Sequence, residues 1–302
     1  MMTARPTGAI VCAGRIYCDL VFSGLPAMPR LGAEVFAEAM TPVLGGGAFI
    51  AAAHLVAHGR PAGVLSRFGT DPISVALEGQ FAADGVAMDL IERAADAGPQ
   101  ITIVMAHDSD RAFLSRRAGH ALPRDYARLL ASSGAVHLHI AEYATFAEHP
   151  DLVADAKRLG LTVSLDPSWD EELIHDPSLL SRCAGVDVFL PNLDEALAIT
   201  GETQASAALA HLARHFPVVA IKLGADGAML AIKDQRLAQP APRVPVRDTT
   251  GAGDAFNAGL LHAWLEGHAP QRCLQAGIAS GSLSVQAIGG TTSLARPIGA
   301  TG

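Results

Sequence analysis

Clustered basic charge is missing from this chain. Its 22 Lys and Arg residues face 30 Asp and Glu, a formal net charge of −8. Without gathered Lys and Arg to meet phosphates, no nucleic-acid partner is expected. Long apolar runs are missing too: none approaches the roughly 20 residues that span a bilayer, and Gly8–Ala13 is too short even for the apolar core of a signal segment. No membrane partner and a cytoplasmic location are therefore expected. Cysteine is scarce. Cys12, Cys18, Cys183 and Cys273 are scattered, with no CxxC and no His partner at metal spacing, and read as reduced, packed thiols. His137 and His139 share a strand face but lack a third ligand, so no metal site is expected there. No GxxxxGK[ST] occurs, and Gly277–Gly281 misses the GxSxG elbow by one position, which argues against a P-loop enzyme and a serine hydrolase. Aromatics make up only 5% of the chain beside 30 glycines, a composition that suits an α/β protein with close helix–sheet packing.

Most informative among the residues present is the stretch from Asp248 through Thr249, Thr250, Gly251, Ala252, Gly253 and Asp254 to Gly259. A glycine turn opens there into an apolar segment carrying Phe256, Leu260, Leu261, Trp264 and Leu265, which reads as a helix buried on most sides. The N–H groups at a helix start and the helix dipole attract anions, and Gly251 and Gly253 let the backbone aim its amides at one point. Asp254 falls in the first turn, beside that anion site. A carboxylate so placed suits a group that takes a proton from a hydroxyl while the amides hold a phosphoryl group; the plainer reading is a helix cap behind a turn.

Short β-branched runs alternate with helical patterns almost throughout, the mark of parallel βαβ units. Strands are expected near Ala9–Ala13, Gly63–Ser66, Ala135–Ile140, Leu161–Leu165, Asp187–Leu190, Val218–Lys222 and Ala228–Ile232. Helices are expected near Ala48–Ala57, Ile73–Ala83, Asp151–Leu159, Asp194–Thr200, Ala207–His215, Gly253–Glu266 and Ala276–Val285. Asp71 is expected to cap the helix that follows Pro72. No repeat or low-complexity linker marks a boundary, so residues 1–302 read as one domain. Two segments break the alternation with extended, non-helical patterns, approximately 15–40 and 100–118, and could pair into a small separate sheet.

The Asp248–Gly259 stretch resembles the C-terminal signature of the PfkB, or ribokinase-like, carbohydrate kinase family, and the likeness runs through nearly the whole chain. It implies a three-layer α/β/α fold with a largely parallel central sheet and a small β lid made by the two irregular segments, often also the surface of a homodimer. It implies ATP-dependent phosphorylation of a sugar or sugar acid, with Asp254 as base and the Gly251, Ala252 and Gly253 turn as anion hole. Asp19, just after the first strand, matches the family's sugar-binding Asp. The Gly45, Gly46 and Gly47 turn matches a signature that touches the sugar, although Ile50 stands where relatives often have Asn.

Asn192 and Glu195 match an Asn-x-x-Glu motif that serves the phosphates and, through water, Mg²⁺; by spacing alone they could equally be a helix cap. Lys222, Gly224 and Gly227 fall where relatives contact the nucleotide, Lys222 as a point charge. Asp248 and Thr250, with carbonyls of Ser284 and Gly289 and the hydroxyl of Ser293, match positions that hold K⁺ in many relatives. Arg111, Arg116 and Arg117 flank a lid strand, as solvated charges or with one reaching an anionic group on the substrate. Two alternatives stay open: a nucleoside kinase of the same family, and a catalytically silent sugar-binding or regulatory protein.

Overall fold

The computed structural model describes residues 8–107 and 110–294. Thirteen strands run β1 Ile10–Ala13, β2 Tyr17–Ser23, β3 Ala39–Gly45, β4 Ala62–Phe68, β5 Ile91–Arg93, β6 Ile101–His107, β7 Asp110–Arg116, β8 His137–Ile140, β9 Thr162–Leu165, β10 Val188–Phe189, β11 Val218–Lys222, β12 Ala228–Ile232 and β13 Gln235–Gln239. Nine of them form one sheet in the order β13-β12-β11-β10-β9-β8-β1-β4-β5. From β5 to β11 the neighbours are parallel; β12 and β13 close one edge as antiparallel hairpins.

Burial explains the strand sequences. On β1, Ile10 and Cys12 enter one hydrophobic cluster while Val11 and Ala13 enter the other. A strand covered on both faces needs apolar side chains at every position, so it reads as a continuous run rather than an alternation. The first cluster takes the helices Gly47–Ala57, Ala252–Leu265 and Pro270–Ser284; the second takes those near Leu152, Leu179, Ala196 and Leu209.

A second sheet, ordered β3-β2-β6-β7, stands apart from the first. It draws its strands from the two irregular segments, and β3 carries the first of these on to Gly45. Asp19, Thr102, Val104, Phe113 and Ser115 all line the cavity between the two sheets. The side chain of Arg111 lies outside the described residues.

Several expected elements differ in detail. The span Ile73–Ala83 is two short helices, Pro72–Leu77 and Gly79–Ala83, divided where Gly79 weakens helical continuity. The last helix begins at Pro270, six residues before the expected Ala276, because proline at the first helical position fits the helix start. Asp71 caps its helix through bonds from the Ile73 and Ser74 amides, each 3.1 Å.

The helix carrying Asp254 is pressed against its successor with backbone-level intimacy. A Cβ on Gly259 would lie 2.3 Å from Ser280 Oγ and 2.5 Å from the Ala276 carbonyl oxygen. Gly259→Ala is therefore expected to force the two helices apart and cost about 1–3 kcal/mol, seen as a fall of several degrees in Tm by thermal unfolding. An unchanged Tm would show that the contact is looser than these distances require.

Candidate active site

The carboxyl ends of the parallel strands meet the second sheet around a cavity of about 850 Å³. Open α/β sheets bind ligands at this end because the strands there stop and diverge into loops. Arg15 follows β1, Glu142 follows β8, Asp166 follows β9, Asn192 follows β10 and Lys222 ends β11; all five line the cavity. Asp19, Asp254, Glu195, Gly46, Gly47 and Thr250 line it as well.

Glycine backbone brings the two outer carboxylates into the cavity wall. A Cβ on Gly45 would sit 1.9 Å from Asp19 Oδ2, and one on Gly47 would sit 2.7 Å from Asp254 Oδ1. Only a residue without a side chain can pass so close to both acids. Gly46 turns through φ 90° to start the helix Gly47–Ala57. Ile50 is buried in that helix, and its side chain lies 2.5 Å from where a Cβ on Gly290 would stand and 3.0 Å from one on Gly251. Ile50 thus packs as an apolar wedge beneath the turn that precedes Asp254.

That turn has Gly251 at φ 72° as the residue before the helix Ala252–Leu265. Ala252 donates its amide to the Thr249 carbonyl at 3.2 Å, so its N–H closes the turn and is withdrawn from the anion hole expected of it. Among the described residues, the amides of Gly251 and Gly253 have no such acceptor. Burial first, then the Asp166 carboxylate, pushes the Asp254 carboxyl up to about 7, with Lys222 opposing. Asp19 is likewise pushed up to about 7, by burial and by Asp248, with Thr102 opposing.

Asn192 and Glu195 form a reciprocal capping box. The Asn192 amide donates to Glu195 Oε2 at 2.8 Å, and the Glu195 amide donates to Asn192 Oδ1 at 2.9 Å. Both the capping and the functional reading thus draw on the same pair, with Glu195 Oε1 and Asn192 Nδ2 left over for the cavity. Burial, with Asp166 nearby, raises the Glu195 carboxyl. Among the described residues no three His, Cys, Asp or Glu side chains gather as a metal cage. A buried carboxylate outside any such cage fits Mg²⁺ held through its own waters and by phosphates rather than by protein ligands.

Asp248 folds the following loop around itself. Its Oδ1 accepts from the Thr250 amide at 2.9 Å and the Thr250 hydroxyl at 2.7 Å, and its Oδ2 accepts from the Gly289 amide at 2.8 Å. Near it, Ser284 Oγ and Ser293 Oγ are buried with no partner among the described residues. Unpaired buried oxygens beside a carboxylate fit a monovalent cation, since each would otherwise remain unsatisfied.

Two residues that sequence reasoning missed complete the site. Asp166 Oδ2 takes Lys222 Nζ at 2.5 Å and Asn257 Nδ2 at 2.6 Å. The only sequence signal for Asp166 is its position just beyond an apolar strand. Arg117 pairs with Asp170 at 2.6 Å, joining the second sheet to the loop after β9, while Arg116 donates to the Pro99 carbonyl. On that loop Ser168 adopts φ 53°, and Trp169, 47% exposed, lines the cavity.

A second cavity, about 520 Å³, is walled mainly by apolar groups such as Ala241, Val244, Val246, Phe256, Ile278 and Val285, with Gly227 at its edge. The two cavities share Lys222, Gly224 and Gly253. They meet at the start of the Asp254 helix.

Residues 29–296 match the pfkB family carbohydrate kinases. The chain is 29% identical over 254 residues to 2-dehydro-3-deoxygluconokinase of Bacillus subtilis, covering 75% of this chain and 76% of that one. It is 26% identical to an ATP-dependent ribose-1-phosphate kinase of Halopiger xanaduensis, covering 91% of each. Among solved structures, Arabidopsis thaliana ribokinase complexed with ribose and ATP superposes with a TM-score of 0.79 at 24% identity over 96% of each chain. A putative ribokinase II from E. coli in complex with ATP and Mg²⁺ gives 0.80 at 21% identity, again over 96% of each.

The raised Asp254 carboxyl makes a stability prediction for the unliganded protein. Its value rises from 3.8 to about 7 on folding, so the folded state favours the proton. Stability is then greatest below the unfolded value and is lost as pH rises through about 7. Asp254→Asn removes the penalty and should raise Tm by a few degrees at pH 8, a gain that shrinks as pH falls toward 4. A variant that melts lower at pH 8 would show that the carboxylate holds the fold together instead.

Proposed function

The chain belongs to the pfkB family of carbohydrate kinases and so is a phosphotransferase acting on an alcohol group; from that premise we propose that it transfers the γ-phosphoryl group of ATP to a hydroxyl of a sugar or sugar acid. The observation that carries this reading is the meeting of the two cavities at Lys222, Gly224 and Gly253, beside Asp254. One cavity is lined by acids and lid residues that suit a polyhydroxylated acceptor; the other is an apolar slot that suits an adenine ring. The transferred group lies where they join.

In this reading Asp19 accepts hydrogen bonds from acceptor hydroxyls, held in place by Gly45–Gly47 and the lid. Asp254 takes the proton from the attacking hydroxyl, whose oxygen bonds to the γ-phosphorus as the bond to the ADP oxygen breaks. A base near neutrality is suited to this, being ionised enough to act and basic enough to accept. The Gly251 and Gly253 amides and the Lys222 ammonium face the developing charge. Because phosphoryl transfer passes through a loose transition state, positioning and electrostatics make up most of what the protein contributes. Gly224 and Gly227 shape the nucleotide slot. Mg²⁺, when bound, neutralises the β- and γ-phosphate oxygens, and Glu195 and Asn192 would hold its waters and the phosphates. K⁺ would be held by Asp248, the carbonyls of Thr250, Ser284 and Gly289, and the Ser293 hydroxyl, fixing the loop beneath the anion turn.

Exposed Leu31, Phe36 and Leu114 on the lid and its loop support homodimerisation through that surface. A single domain spanning residues 1–302, with the lid as insertion, fits the continuous central sheet, although 1–7 and 295–302 lie outside the described residues. A nucleoside acceptor is the second reading, favoured by half-exposed Trp169 and Phe113 in the acceptor cavity, where a base could stack.

Turnover against a panel of sugars, sugar acids and nucleosides tests both readings, with Asp254→Asn as the internal control. That variant should lose about 10²–10⁴-fold in kcat while still binding ATP, and wild-type kcat/KM should rise with pH through about 7, where Asp254 loses its proton. Retention of more than a tenth of turnover would remove Asp254 from the role of base.

The cation loop is tested at constant ionic strength. Replacing tetramethylammonium by K⁺ should raise the rate several-fold, and Asp248→Ala should abolish that response while leaving a folded protein. Equal rates in K⁺, Na⁺ and tetramethylammonium would mean that Asp248 only closes the loop.

A further inference from the structure

Lys222 is the charged group common to both cavities, yet nothing in its own strand holds its side chain in place. Among the described residues its one hydrogen-bonding side chain is Asp166, just past the end of β9, which lies two strands away across the short β10. Asp166 is in turn anchored twice more: its Oδ1 accepts from the Ser168 amide at 3.1 Å, and its Oδ2 accepts from Asn257 Nδ2. Asn257 is fully buried and stands one turn beyond Asp254 on the same helix. Three separate elements, the ends of β9 and β11 and the Asp254 helix, are thereby tied at one carboxylate oxygen.

We propose that Asp166 and Asn257 are positioning residues that hold the Lys222 ammonium against the phosphoryl group, so that its charge is aimed and not merely present. The proposal rests on the kinase reading of the site. The direction of the pair supports it. Lys222 Nζ lies 3.3 Å from where a Cβ on Gly253 would stand, at the anion turn. Asp166 lines the acceptor cavity but not the nucleotide cavity, whereas Lys222 lines both. The pair is neutral as a whole, so its attraction for phosphate depends on which end faces it, and an unrestrained lysine stem would lose that orientation.

Stability alone gives little reason for the arrangement. A buried ion pair is often no better than apolar residues of the same volume. Beneath Asp166 the polar layer continues through Ser164, which lies 2.8 Å from both His139 Nδ1 and His137 Nε2. Asn257 Oδ1 and His139 Nε2 stay buried without partners among the described residues. Unsatisfied polar groups of this kind cost free energy, and their cluster marks a place shaped by something other than packing.

The test is a double-mutant cycle read by calorimetric binding of a non-hydrolysable ATP analogue with Mg²⁺, which needs no knowledge of the acceptor, and by kcat once an acceptor is known. Lys222→Met should weaken analogue binding about tenfold to a hundredfold, the worth of one charge-assisted bond. Asp166→Asn should cost a similar factor in the native background but less than about twofold in the Lys222→Met background, since residues acting through one another do not add. Asn257→Leu, a gentler change, should repeat the pattern with a smaller loss. Multiplicative losses in the Lys222→Met background would overturn the clamp while leaving the kinase reading intact. Unchanged analogue binding in Lys222→Met would instead overturn the contact between Lys222 and the nucleotide, and the clamp with it. Thermal unfolding of each variant separates these outcomes from misfolding.

Discussion

One ammonium among carboxylates governs this site. Burial disfavours the charge of Lys222, but the carboxylates of Asp166, Glu195 and Asp254 outweigh that penalty and raise its affinity for the proton. The same carboxylates, left without the cation, would repel one another across a partly desolvated cavity. Lys222 lets acids crowd at the end of the sheet while still presenting positive charge to both cavities. Burial first, and then the neighbouring Asp166 carboxylate, raise the carboxyls of Asp254 and Glu195, and the ammonium offsets only part of that rise. The near-neutral Asp254 carboxyl thus follows from burial and from how the charges are packed.

Backbone takes the place of side chains wherever these groups converge. Gly45 lies against Asp19, Gly47 against Asp254, and Gly253 against Lys222, each at a distance that a Cβ would contest. The helix starts at Gly47 and Ala252 therefore approach one another with Asp254 between them. Their packing is reinforced from below, where Ile50 fills the space under Gly251 and Gly290. This wedge accounts for the apolar residue at position 50: it supports the turn.

Legibility followed the range of the interactions. The turn–helix starts at Asp254 and Asn192 and the strand end at Lys222 could be read because a glycine turn, a cap and an apolar run are local signals. Asn192 and Glu195 were readable as a cap for the same reason, being three residues apart. Asp166 was not readable, because its partners Lys222 and Asn257 lie 56 and 91 residues along the chain. Nor was the loss of the Ala252 amide to the Thr249 carbonyl, which depends on how tightly the turn winds. The early start of the last helix at Pro270 was signalled by that proline but masked by polar residues in its first turn.

What the sequence by itself determined is the list of elements and of local chemistries. Continuous apolar strands demand a sheet covered on both faces, and a glycine turn before an apolar segment marks a helix start with free backbone amides. Only the tertiary structure decided which local chemistries meet. Pairing β9, β10 and β11 in parallel puts Asp166, Asn192 and Lys222 at one sheet end. Docking the second sheet above that end brings Asp19 in from a distant segment. Periodicity and capping act over a few residues and leave their trace in adjacent letters. Charge pairing and close backbone approach act through space, and in a chain this long they leave none.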